Sequence, residues 1–219
     1  MAQAKSGSAD RQLSPEKTAA ILEGGMREFL THGYAATSMD RVAIAAKVSK
    51  ATVYSHFQDK ESLFTALIQR LVKQKFQSIF GVADGQLWQT PPATVLRNIA
   101  THALTLGTQE PQFLNFMRLI LGESGRFPQL AQSFVTHIEQ TAFKQLCHYF
   151  SNCPQLQLKD PEATARIFIG AIVHYMIVQE MLHGKDILPM EQERIISSLI
   201  DLIVGEDAGG DAGEEASSS

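Results

Sequence analysis

The sequence predicts an all-α protein of about nine helices, a small three-helix head followed by a helical body. Three observations predict it. Apolar residues recur at three- and four-residue intervals along most of the chain. No stretch alternates with the period of two that a half-buried strand needs. Residues able to open a helix (Ser14-Pro15, Ser49, Asp59, Pro91, Pro111, Pro128, Asp160-Pro161) stand just before the periodic stretches. With 219 residues, 44% of them hydrophobic, the chain is long and apolar enough to bury a core.

Residues 1–13 are polar and read as a disordered arm, with Lys5 and Arg11 available to a neighbouring groove. Ser14 caps and Pro15 opens a helix that runs to about His32, with Gly33 as its natural end. Its apolar stripe is Ile21, Leu22, Met26, Phe29 and Leu30. Gly24 and Gly25 each cost roughly 1 kcal/mol against alanine there, so they read as close packing against the next helices.

Residues 37–60 then read as two short helices joined by a tight turn, with a third starting at their end. Thr37 is the expected first cap, with Asp40 reaching back to it as a capping box. Val42, Ala43 and Ala46 keep the helical spacing, which breaks at Lys47-Val48. Ser49 caps the second helix, Lys50 to about Ser55, which turns Val53 and Phe57 inward. Its other side carries Lys50, Thr52, Tyr54 and His56, with Lys60 close behind, all able to donate hydrogen bonds to phosphate.

This run resembles the DNA-binding domain of the TetR family of bacterial transcriptional regulators. The resemblance rests on Thr37-Ser38-Met39, Ile44-Ala45, Val48-Ser49-Lys50, Thr52-Val53-Tyr54-Ser55-His56-Phe57 and Asp59-Lys60-Glu61-Ser62-Leu63-Phe64. Phe29, Gly33 and Tyr34 in the preceding helix match as well, and the likeness spans about residues 14–70. Ala51 departs from it, since the family often has glycine there; the helix is expected to stand, but the family's close backbone approach to DNA is put in question. The expected DNA contacts are Thr37, Ser38, Ser49, Lys50, Thr52, Tyr54, His56 and Lys60. Of these, Lys50 and Thr52 sit in the first turn and are expected to touch base edges or adjacent phosphates, while Thr37, Ser38, Tyr54, His56 and Lys60 are expected to hold the backbone.

After Asp59 a long helix is expected to about Gly81, then a loop to Pro92 holding Trp88, then helices at about 91–107, 110–124, 127–150, 160–183 and 189–204. The run from Ile167 to Val178 is apolar on nearly every side and must be covered all round. With the last helix it is expected to form a four-helix homodimer interface through Ile167, Gly170, Ala171, Met181, Ile195, Ile196, Leu199 and Ile203. The resemblance implies the same dimer, and two recognition helices about a two-fold axis suit a symmetric operator. The expected domains are 1–13 (arm), 14–58 (helix-turn-helix), 59–204 (effector-binding and dimerisation) and 205–219 (acidic disordered tail).

Charge divides along the same line. Residues 1–75 hold 11 Lys and Arg against 7 Asp and Glu, and residues 76–219 hold 8 against 16. A basic front on an acidic body suits one polyanion-facing end. No apolar run reaches membrane-helix length and the start lacks a signal core, so the cytoplasm is expected.

No catalytic constellation is present. The seven histidines lack HExxH spacing, Gly122-Glu123-Ser124-Gly125 is not a nucleophile elbow, and Cys147-His148 with Cys153 makes a poor zinc site. No metal, cofactor or enzyme activity is expected. Trp88, His102, Phe113, Phe116, Met117, Phe134, Tyr149 and His174 sit on helices that must surround one another, and such a set describes either a core or a ligand cavity. The resemblance implies a cavity. The segment from Arg118 through Leu130 looks like the AcrR/AefR-like branch, whose members often respond to lipophilic compounds. The expected function is therefore a homodimeric repressor, released from its operator by a lipophilic effector through the helix at 60–81. The alternative is an architectural or cell-cycle DNA binder with the same head and no pocket.

Overall fold

The computed structural model describes residues 14–76 and 87–205. The expected arm, the end of the fourth helix at Gly81 with the first part of the loop that follows it, and the tail beyond Gly205 fall outside these residues. The described residues are helical with no strand, as expected from the sequence. The chain divides into two compact units between Leu67 and Ile68, a boundary inside the fourth helix.

The first unit holds α1 (Pro15–Ala36), α2 (Met39–Ala45), α3 (Lys50–His56) and the start of α4 (Lys60–Phe76). Ser14 accepts the Lys17 N–H and opens α1; Gly33, at φ 77°, breaks it before its last turn. The core is an aromatic triad. Phe29 meets Phe64 edge-on at 5.0 Å, Tyr34 meets Phe64 edge-on at 5.3 Å, and Phe29 stacks on Tyr34 at 5.7 Å. Each such pair adds about 0.5–1.5 kcal/mol beyond burial. Ile21, Val42, Val53 and Leu63 close around it, fully buried.

The two glycines of α1 are there for space. A Cβ on Gly24 would lie 2.8 Å from the Ala46 backbone nitrogen, and one on Gly25 would lie 3.1 Å from Leu63. They let α1 approach the end of α2 and the start of α4, as the sequence predicts.

The second unit holds the rest of α4, α5 (Pro92–Gln109), α6 (Pro111–Glu123), α7, α8 and α9 (Gln192–Val204). α7 runs through Pro128–Ile138, a π-helical turn Glu139–Phe143, and Lys144–Asn152. α8 runs through Pro161–Tyr175 and a second π-helical stretch, Met176–Met181, with Asp160 accepting the Ala163 N–H at its start. The core gathers Leu96, Ala100 and Leu104 of α5, Phe150 of α7, Phe168 of α8 and Ile196, Leu199 and Ile200 of α9. Arg97 of α5 pairs with Glu193 of α9 at its rim. Among the described residues no helix is long and apolar enough to cross a membrane.

Candidate nucleic-acid interface and cavity

The turn between α2 and α3 is built by hydrogen bonds that the sequence only partly announces. Ser38, not Thr37, caps α2: its Oγ accepts the Arg41 N–H at 3.3 Å. Thr37 is 3% exposed, and its hydroxyl donates to the Gly33 carbonyl at 2.8 Å and the Glu28 carbonyl at 3.1 Å. It closes α1 and has no free face for DNA, which corrects its place among the expected contacts. The α2 end is a Schellman turn, with Val48 N–H donating to the Ala43 carbonyl and Lys47 N–H to the Ile44 carbonyl. Lys47 occupies the left-handed position at φ 56°, where glycine is usual.

α3 then opens on Ser49, whose Oγ accepts the Thr52 N–H at 3.1 Å and meets the Thr52 hydroxyl at 2.8 Å. Val53 is buried and anchors the helix. The opposite side carries Lys50, Ala51, Tyr54 and Ser55, all exposed. Lys50 reaches across to Asp40 of α2, with Nζ 2.8 Å from Oδ1, and lies 5.9 Å from the Tyr54 ring centroid. The Asp40 carboxylate holds the Lys50 ammonium above the usual lysine range. Lys50 therefore leaves α3 braced rather than as a free rotor.

The other expected contacts are bound into the head. His56 is half-buried, its Nδ1 2.9 Å from the Thr18 hydroxyl of α1. Lys60 donates to the carbonyls of Tyr34 at 2.7 Å and Ala35 at 3.2 Å and stands 4.4 Å over the Tyr34 ring. Burial pushes the Tyr34 hydroxyl up to about 12. Asp59 and Ser62 cap α4 reciprocally, the Ser62 N–H donating at 2.7 Å and the Asp59 N–H accepted by Ser62 Oγ at 3.2 Å. The backbone and side-chain bonds from Ser62 hold the Asp59 carboxyl below its ordinary value.

Three exposed residues of this surface escaped the sequence reading: Arg41, Lys47 and Ser55. The signal for the first two was charge beside the turn. Arg41 is tied to Glu28 at 2.9 Å and to His32. Residues 14–67 carry six basic and six acidic residues, so the polyanion-facing character here is an arrangement and not an excess.

The second unit contains a partly open cavity of about 250 Å³. α5 contributes Ile99, Ala103 and Leu106; α6 contributes Phe113, Met117 and Leu121. α7 contributes Phe134, Ile138, Ala142 and Leu146; α8 contributes residues from Phe168 to Met181. Both π-helical turns reach it, through Ala142 and through Met176, Ile177 and Met181. Such turns widen a helix locally and recur at functional sites.

Of the eight residues expected at a ligand site, the structure brings Phe113, Met117 and Phe134 together here. The others lie elsewhere. Trp88 stacks on buried Tyr149 at 5.7 Å, Phe116 is fully buried, His102 lies 3.0 Å from the Lys75 carbonyl, and His174 is exposed. Polar and aromatic landmarks drew the expectation to them, whereas the wall is mostly aliphatic. Met181, expected at a dimer interface, lines this cavity instead.

The remaining dimer candidates separate by exposure. Ile196 and Leu199 face this chain's own core, which corrects their assignment. Ile167 is 64% exposed, Gly170 has open space beyond it, and Ala171, Ile195 and Ile203 are half-buried. Leu202, which the expected set omitted, is 83% exposed.

Known proteins share this arrangement. The profile of "Bacterial regulatory proteins, tetR family" matches residues 21–67, and that of "AefR-like transcriptional repressor, C-terminal domain" matches residues 94–205. The chain is similar to the uncharacterized HTH-type transcriptional regulator YvkB of Bacillus subtilis (strain 168), 26% identical over 191 residues, 84% of this chain and 93% of that one. YhgD of the same strain is 40% identical over 65 residues, a match that spans 30% of this chain and only 34% of that protein. Among solved structures, the flavonoid-responsive regulator FrrA has a TM-score of 0.71 at 27% identity, covering 86% of this chain and 95% of that one.

Proposed function

Because the chain belongs to the TetR family of bacterial regulators, and is a DNA-binding transcriptional regulator with an AefR-like C-terminal domain, we propose that it is a homodimeric repressor released from a two-fold symmetric operator by a lipophilic effector. The exposed side of α3 enters the major groove, with Lys50 and Thr52 at base edges. Ser38, Ser49 and Tyr54 hold phosphates, with Arg41 and Lys47 beside them; His56 and Lys60 keep α3 and α4 in place. The surface that meets a second copy is the apolar stripe of α8 and α9, Ile167 and Gly170 with Ile195 and Leu202. Left bare, such a stripe is unusual for a single chain.

The observation that carries the effector half is the apolar cavity of the second unit. It speaks against the architectural alternative, which would have a filled core there. FrrA is by its name flavonoid-responsive, and that likeness supports a small-molecule effector of some kind. An effector can shift DNA affinity only by its differential affinity for the two body conformations.

The test is selection of bound genomic fragments by the full-length protein, followed by titration of the best fragment with a panel of lipophilic compounds. Sites with two-fold symmetry, each loaded with an even number of chains and emptied by at least one compound, are expected. Asymmetric sites holding a single chain, or binding that no cavity ligand alters, would refute the proposal.

A further inference from the structure

Resting on the reading of the cavity as the effector site, we infer that its ligand is an uncharged, hydrocarbon-like molecule of about ten carbon atoms that needs no hydrogen bond from the protein. Ligand pockets ordinarily place a few polar groups among apolar ones to orient what they bind. Here every lining side chain is aliphatic, phenyl or thioether, and the wall is apolar throughout. Two π-helical turns lie beside the cavity in α7 and α8, yet the described lining residues present almost no polar surface to it.

A cation beside this wall, Arg118, is already engaged. Arg118 follows the lining residue Met117, and its guanidinium donates to the carbonyls of Glu180 at 2.7 Å and Met181 at 3.3 Å and to Asn115 at 2.8 Å. A carboxylate or hydroxyl brought against this wall would give up its water and find no polar side chain among the described lining residues, which penalises binding heavily. Size sets the other limit. An apolar cavity of about 150 Å³ holds benzene, so one of this volume holds roughly ten carbons at the same density. Met117, Met176 and Met181 are flexible enough to fit the wall to differing outlines, so selection falls on size and polarity rather than on shape. Fused aromatic and cyclic terpenoid hydrocarbons meet both limits.

The test compares naphthalene with 2-naphthoate on the full-length protein at pH 7, by equilibrium dialysis and thermal shift. Ala103→Phe fills the cavity from α5, and Ile177→Phe fills it from α8 should the first variant fold poorly. Naphthalene is expected to raise Tm, to bind at least tenfold tighter than 2-naphthoate, and to lose its binding in the filled variant while operator binding persists. If 2-naphthoate binds as well or better and the filled variant loses it, the cavity is a ligand site but the inferred ligand class is wrong. If neither probe binds, or naphthalene binds the filled variant undiminished, both the class and the cavity reading fail.

Discussion

The head, residues 14–67, and the body, residues 68–205, solve different problems with the same helical material. In the head many polar side chains have a defined partner. Thr37 is held by two carbonyls, Ser38 and Ser49 cap helices, His56 meets Thr18, and Lys60 holds the end of α1. Gly24 admits no added atom because backbone lies 2.8 Å away. In the body Gly184 is packed as closely, its Cβ position 2.7 Å from the Val178 carbonyl, but the glycines at 122 and 170 face open space and the central feature is an absence of packing among aliphatic side chains. On the proposed function, a surface that presents Lys50 and Tyr54 to DNA needs rigidity, and a cavity that accepts an effector needs room.

That contrast can be broken by substitution. Gly24→Ala forces a Cβ into the Ala46 backbone and should destabilise the head by about 3 kcal/mol, whereas Gly122→Ala in the body should be neutral or gain about 0.5–1 kcal/mol. Urea melts followed by hydrogen exchange would locate the loss; equal effects at the two glycines would erase the distinction. Thr37→Val keeps the shape but removes a donor shared by the Glu28 and Gly33 carbonyls, for an expected cost of about 1–2 kcal/mol in the same melt and no change in which DNA sequences are preferred. A change of preference would return Thr37 to the DNA surface.

Lys47→Gly relieves a left-handed lysine and should stabilise the head by about 1 kcal/mol while lowering affinity for all DNA alike, read by melt and by anisotropy. The smallest effect concerns Asp40. It is exposed, as is its partner Lys50, and surface pairs contribute about 0.2–1 kcal/mol. Asp40→Asn should leave stability nearly unchanged. It should also raise non-specific DNA affinity several-fold at low salt, because Lys50 is no longer braced against a carboxylate.

The same contrast explains what could be read from the sequence. Caps at Ser14, Ser49, Asp59 and Asp160 were legible because short polar residues before an apolar run have few other uses. The paired glycines were legible because only close approach repays their cost in a helix. The choice between Thr37 and Ser38 was not, because both can cap and the decision rests with carbonyls of Glu28 and Gly33 on another helix. The cavity was illegible in a deeper sense. Ile99, Leu106, Ile138 and Ile172 keep the periodicity of core residues, and nothing in a periodic pattern says whether the space before a side chain is filled. The π-helical turns that shape the wall likewise leave no mark in composition. Trp88, Tyr149 and His174 attracted attention by chemistry and turned out to pack on a neighbour or face away.

The account's central claim is that the exposed side of α3 reads sequence while its surroundings only hold it in place. The most direct measurement is binding of Lys50→Ala and Tyr54→Phe to a panel of single-base variants of the selected operator. Lys50→Ala should change the rank order at one or two positions, by about 1–3 kcal/mol each, and Tyr54→Phe should weaken every site by a common factor. A Lys50→Ala protein that loses affinity uniformly across the panel, or keeps its full affinity, would contradict the account.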